Sequence, residues 1–199
     1  MQEFTKPFIR IVPSIRQKTL EIIGQTPLKG ERMVLPLLGR DVEVYLHKAQ
    51  AENPLPVVFE MHGGGLVLGD AAKDDNLRQT LCEMAEVHVV GINYRKAPEN
   101  PYPAAVNDVC DTMQWFAAHA GEYGMDGERF ALLGFSGGAT LAAAAALRLQ
   151  GQQKFGLKCQ LLHYPYLDAV TEPAEKPSFE VGLPVEVMQA FTELYSTPE

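Results

Sequence analysis

Two glycine-rich segments of this chain hold residue types and spacings suited to acyl transfer. The later one, Gly134-Phe135-Ser136-Gly137-Gly138, follows the apolar run Phe130-Ala131-Leu132-Leu133 and precedes Leu141 and a tract of alanines. A buried strand, a G-x-S-x-G turn and a helix form the setting in which a serine hydroxyl is presented as a nucleophile. Such a turn is sharp, so Gly134 and Gly138 stand where a Cβ would meet the neighbouring strand or helix. The earlier segment, His62-Gly63-Gly64-Gly65, follows the strand-like Pro56–Met61. It has the form of a loop whose backbone N–H groups stabilise an oxyanion. Ser136 is therefore the expected nucleophile, and the N–H groups of Gly63, Gly64, Gly65 and Gly137 are the expected oxyanion donors. His62 is expected to shape the loop.

The elements that must position these residues alternate in period. Residues 14–24 read as an amphipathic helix with Ile15, Leu20, Ile22 and Ile23 apolar, followed by short strands at Met33–Leu38 and Val42–Leu46. Strand 56–61 leads into the first glycine loop. A helix near 74–86 carries Leu77, Leu81, Met84 and Ala85 at helical spacing. Val87–Asn93 reads as a buried strand, Ala97–Pro103 as an irregular loop and 104–121 as a helix. The elbow strand 129–134, helix 137–150, strand 158–164 and a helix near 184–195 complete the chain. Strands alternating with helices predict an α/β fold with a doubly wound, mostly parallel sheet and helices on both faces.

The bulk properties exclude several classes. At 199 residues, with 46% hydrophobic and 21% charged residues, the chain has the composition of one globular domain. Its net charge of −8 and lack of a basic cluster argue against a nucleic-acid surface. Cys82, Cys110 and Cys159 are widely spaced and odd in number, so they read as reduced core thiols rather than disulfides or a zinc site. Met1–Lys6 lacks the apolar stretch of a signal peptide, and no run approaches a membrane span, which points to the cytoplasm.

From about residue 55 to 168 the chain resembles the hormone-sensitive-lipase-like branch of the α/β-hydrolases, the carboxylesterases of acetyl-esterase type. Beyond the two glycine motifs, Asn93-Tyr94-Arg95-Lys96-Ala97-Pro98-Glu99 is close to that family's Y-R-L-A-P-E signature. Pro101-Tyr102-Pro103-Ala104-Ala105, Asp108, Gly69 and Tyr164-Pro165 fall at matching places. The resemblance implies an α/β-hydrolase fold, hydrolysis of short-chain acyl esters, and neither metal nor organic cofactor. It also implies a helical cap to which residues 1–28 contribute, with the core at 29–199. The elbow departs from the family's commonest form, G-D-S-A-G-G, at Phe135, Gly137 and Ala139.

A second departure concerns the base. In α/β-hydrolases the acid and histidine follow the serine in chain order, yet the last histidine here is His163. The expectation is a chain that stops before the catalytic acid and histidine, with its final strands missing. The other histidines have plainer readings. His62 is a loop residue, His163 a satisfied strand residue and His47 a solvated surface residue. Asp168 sits in the family's Y-P-x-x-D position as a structural residue, and Asp126 forms a turn. Glu99 and Arg95 are expected to brace the proline-rich loop through its backbone. An edge strand at 158–164 with Leu161-Leu162-His163-Tyr164 invites self-association. The readings to be separated are an esterase, a catalytically silent binder on the same scaffold, and a module completed by another chain.

Overall fold

The computed structural model describes residues 5–152, 154–176 and 182–196. Its strands are β1 (Glu31–Leu37), β2 (Arg40–His47), β3 (Leu55–Met61), β4 (His88–Asn93), β5 (Met125–Phe135) and β6 (Leu157–His163). They form one sheet in the order β1-β2-β4-β3-β5-β6. The β1–β2 and β2–β4 pairs are antiparallel, whereas β4, β3, β5 and β6 run parallel. The helices are α1 (Thr5–Ile23), α2 (Asp75–Ala85), α3 (Ala104–Ala118), α4 (Gly137–Leu149) and α5 (Val185–Tyr195).

The order places β3 beside β5, so the loops leaving their carboxyl ends lie side by side. Met61 is in register with Gly134, which brings His62–Gly65 against the Ser136 turn. The main core lies between the sheet and α3 and α4, with Phe59 against Phe116 and Phe130 at ring separations of 5.9 and 4.9 Å. Ala139, Ala142 and Ala145 are fully buried along α4. Their small side chains let the helix lie close to the sheet. Residues α1 and α5 contribute instead to a separate cluster, Phe8, Val12, Ala190 and Leu194, which packs on Val67 and Ala97.

Several expectations are corrected by the packing. The first helix begins at Thr5, and its buried apolar residues are Phe8 and Val12, whereas Leu20 and Ile22 are exposed. Phe8 and Val12 pack on α5, and Arg16, a turn further on, reaches the Val67 carbonyl. In α2, Leu77 and Met84 of the expected apolar stripe are exposed and Leu81 is half-buried, while Asp75, Arg78 and Cys82 are buried. The inner face of α2 meets a polar patch of the sheet, where Arg78 donates to Glu60 at 2.8 Å with both side chains fully buried. Gly91 supplies the room, since a Cβ there would stand 2.6 Å from the Arg78 guanidinium.

His47 is buried, not solvated. It is the last residue of β2, and Gly30 leaves space for its ring. Its Nε2–H donates to Asp75 at 3.0 Å, and burial together with Arg78 lowers the imidazole pKa, so the ring stays neutral. Cys82 and Cys110 are buried, but Cys159 is exposed because β6 pairs only with β5 among the described residues. Arg95 braces its loop mainly through the buried Asp108 carboxylate, at 2.8–3.1 Å, rather than through backbone. Glu99 takes Arg16 as its partner. Among the described residues, no helix is long and apolar enough to cross a membrane.

Candidate active site

Ser136 follows β5 and precedes the first residue of α4. Its backbone is at φ 53° and ψ −120°, a region that non-glycine residues rarely occupy. Close packing holds it there. A Cβ on Gly134 would lie 2.3 Å from the Gly138 carbonyl oxygen, and one on Gly138 would lie 2.1 Å from that of Met61. The chain can therefore turn back over the end of β3 only with glycine at both positions. The Ser136 N–H donates to the His163 carbonyl at 2.9 Å, tying the elbow to β6, while its own carbonyl accepts from Ala139 and Thr140.

The loop after β3 curls over this elbow. The Val67 and Leu68 amides both donate to the Gly64 carbonyl, at 3.1 and 2.7 Å, and the Ala97 amide donates to Leu66 at 3.0 Å. Gly64, Gly65 and Leu66 all have positive φ, at 133°, 61° and 64°. This brings the Gly65 and Leu66 nitrogens to 3.2 and 3.0 Å from the point where a Gly137 Cβ would stand. As the first residue of α4, Gly137 has no intrahelical partner for its own N–H. Among the described residues, the Gly65 amide likewise has no intramolecular acceptor. Donors from two loops thus converge beside Ser136.

His62 lies beneath the loop. Its ring stacks on Tyr94 at 4.3 Å and 10°, Tyr94 donates its hydroxyl to the His62 carbonyl at 2.7 Å, and Nδ1–H donates to the Gly63 carbonyl at 2.8 Å. Burial, with Lys96 nearby, pushes the His62 pKa down to about 3. The ring is neutral and bonded away from the serine. The remaining histidines are also engaged elsewhere. His88 faces Gly124, His119 faces Trp115, and His163 stacks on Phe135 at 4.9 Å. Ser136 Oγ has no hydrogen-bonding imidazole among the described residues.

Asp168 accepts from the Val170 and Thr171 amides at 3.1 and 2.9 Å, and these bonds, that to Thr171 foremost, hold its carboxyl down at about 2. It shapes a turn and contacts no histidine. Asp126 caps the Glu128 amide at 2.9 Å in the same manner.

Ser136 opens into a cavity of about 920 Å³ lined by Gly65, Leu68, Tyr164, Met188, Phe191 and Tyr195. The lining is mostly apolar, with the serine and the loop amides at one end. Phe191 fills the space left by Gly65, since a Cβ there would fall 2.1 Å from its ring. Nothing in the local sequence announces Phe191 or Met188 as cavity walls. Their only signal is the apolar periodicity of α5. Among the described residues, no group of three His, Cys, Asp or Glu side chains is placed to hold a metal ion.

Comparison with known proteins agrees with this architecture. The chain is 35% identical over 190 residues to Esterase LipI of Mycobacterium tuberculosis, covering 92% of this chain and 55% of that protein. It is 31% identical over 185 residues to an arylesterase of Saccharolobus solfataricus, covering 86% and 60% respectively. A solved hyperthermophilic esterase from Pyrobaculum calidifontis superposes with a TM-score of 0.82 at 28% identity, covering 94% of this chain and 65% of its own. The chain thus spans little more than half the length of the curated relatives it matches. Residues 58–199 match the family described by its alpha/beta hydrolase fold, and the chain belongs to that family.

Proposed function

We propose that this chain carries the nucleophile and oxyanion half of a carboxylic ester hydrolase acting on short-chain acyl esters. The observation that supports this most is the strained Ser136 facing the Gly65 and Gly137 amides at one end of an apolar cavity. The relatives named as esterases favour an ester substrate. In this reading Ser136 Oγ attacks the ester carbonyl carbon and its proton passes to a base. Charge on the carbonyl oxygen is met by N–H groups of Gly63–Gly65 and of Gly137. The alcohol leaves, and water then releases the acid from the acyl-serine. His62, neutral and bonded to Gly63, holds the loop in shape. Helices α1 and α5 form a cap, and α5 supplies apolar walls for the acyl or alcohol group.

Incubation with a fluorophosphonate, read by intact mass with Ser136→Ala as control, tests the assignment. One adduct on Ser136, absent from the variant, is the expected result. An adduct at another residue would overturn it.

Among the described residues no imidazole meets Ser136 Oγ, which favours a second reading, a catalytically silent binder of small apolar ligands on the same scaffold. A folded sample that takes no label and yet binds an ester analogue in the cavity supports that alternative.

A further inference from the structure

The oxyanion loop is strained, and its backbone carbonyls are tied down from outside the two glycine motifs. Arg16, on α1, donates from Nε to the Val67 carbonyl at 2.8 Å and from its second terminal nitrogen to the Ala97 carbonyl. Its other terminal nitrogen meets both Glu99 oxygens at 2.9 Å. Val67 and Ala97 are fully buried, so without the guanidinium their carbonyls would face an apolar cluster with that bonding lost. These two residues also close the loop. The Val67 amide bonds Gly64, and the Ala97 amide bonds Leu66. Between them lie Gly65 and Leu66, both at positive φ. Residues in such conformations persist only where their surroundings over-determine them.

We infer that Arg16 is a positioning residue for the oxyanion loop: it clamps Val67 and Ala97 so that the Gly65 amide stays aimed past Gly137 at the Ser136 site. The inference rests on the reading of Ser136 and Gly65 given above. It makes the first helix part of the reaction geometry. A planar fork is needed because three acceptors lie in different directions, and a lysine ammonium cannot span them in the same way. Glu99 then serves to orient the guanidinium. Burial opposes ionisation of Glu99, but the hydrogen bond from Arg16 wins and keeps its pKa below the ordinary carboxylate range.

The test compares wild type, Arg16→Ala, Arg16→Lys and Glu99→Gln in two measurements. The first is the saturation kinetics of fluorophosphonate labelling, separating the maximal rate from the concentration for half-maximal rate. Arg16→Ala is expected to lower the maximal rate about tenfold to a hundredfold, as misplacement of a reacting group does, with little change in half-saturation. Millimolar guanidinium should restore much of it. Arg16→Lys should recover only a minor part, and Glu99→Gln, which loses the charge that orients the guanidinium but leaves its bonds to Val67 and Ala97, should fall between wild type and Arg16→Ala. The second is amide hydrogen exchange over residues 62–69, which needs no catalysis. There Arg16→Ala should speed exchange at Val67 and Leu68, again reversed by guanidinium. A lowered melting temperature with unchanged maximal rate would show a merely structural role and overturn the inference. Unchanged exchange at Val67 and Leu68 would overturn it even if wild type takes no label. That last outcome would separately count against the esterase reading.

Discussion

The Gly65 amide nitrogen lies 3.2 Å from the point where a Cβ on Gly137 would stand. This relationship joins the loop after β3 to the first turn of α4 and leaves space for one atom group between them. Gly137→Ala should fill that space while keeping the fold, because Gly137 does not have positive φ. We expect labelling of Ser136 to slow by about 10²–10³, the effect of losing an oxyanion donor. Equal labelling rates for wild type and Gly137→Ala would remove Gly137 and Gly65 from the site.

A neighbouring glycine should behave differently. A Cβ on Gly138 would stand 2.1 Å from the Met61 carbonyl oxygen, which is backbone and cannot swing away. Gly138→Ala should therefore destabilise the protein by about 1–3 kcal/mol or more. Gly121, where a Cβ would meet nothing within 4 Å among the described residues, is the control and should shift stability by about 0.5 kcal/mol or less on substitution by alanine. Denaturant midpoints of the two variants decide the matter, and similar midpoints would refute the close approach.

Because no imidazole meets Ser136 Oγ among the described residues, the 199-residue chain should turn over esters weakly or not at all. Loss of the base in a serine hydrolase lowers turnover by roughly 10⁶. Steady-state release of p-nitrophenolate from its acetate ester measures this. A robust rate abolished by Ser136→Ala would show that a base reaches the serine from an unrecognised place.

Acid acts on the fold through buried groups of opposite sign: burial raises the Glu60 carboxyl to about 7, so the native state takes up a proton there, while the buried histidines resist protonation. Burial lowers the pKa of His62 to about 3 and shifts His47 and His88 in the same direction. In the unfolded chain these rings take up protons as pH falls through about 6.5. At these rings the unfolded state then binds more protons than the native state, so their contribution to stability declines from pH 6.5 towards 3. For His62 alone the effect at pH 5 is about 2 kcal/mol. Between pH 7.5 and 5.0 the melting temperature of the wild type should fall relative to that of His62→Asn. Parallel slopes for the two proteins would exclude His62 as a source.

The edge strand β6 should drive association. It pairs with β5 alone among the described residues, and Leu161 is 47% exposed. Placing a charge there, as in Leu161→Lys, is expected to reduce self-association, as charged residues do on natural sheet edges. Light scattering across a concentration series gives the answer. A monomeric wild type at high concentration would exclude the edge as an interface.

Legibility followed the range of the interactions. The elbow and the glycine loop could be read because their requirements are local: a serine flanked by glycines, each set after an apolar strand. The order of strands and helices was readable from period alone, and its boundaries moved by a few residues except at the first helix, expected at 14–24 and found at Thr5–Ile23. Period could not orient α2, because Leu77, Leu81 and Met84 share a face whether or not that face meets the sheet. It was Arg78, a residue that composition would place in solvent, that turned inward to meet Glu60.

By itself the sequence determined the kind of fold, the serine and its glycines, since these follow from backbone sterics within a few residues. Only the tertiary structure decided what surrounds them. It buried His47 beside Asp75, stacked His62 on Tyr94, set Phe191 against Gly65 and brought Arg16 to the Val67 carbonyl. Each of these pairs joins residues far apart in the chain. The strength of each bond depends on burial, which no local pattern records.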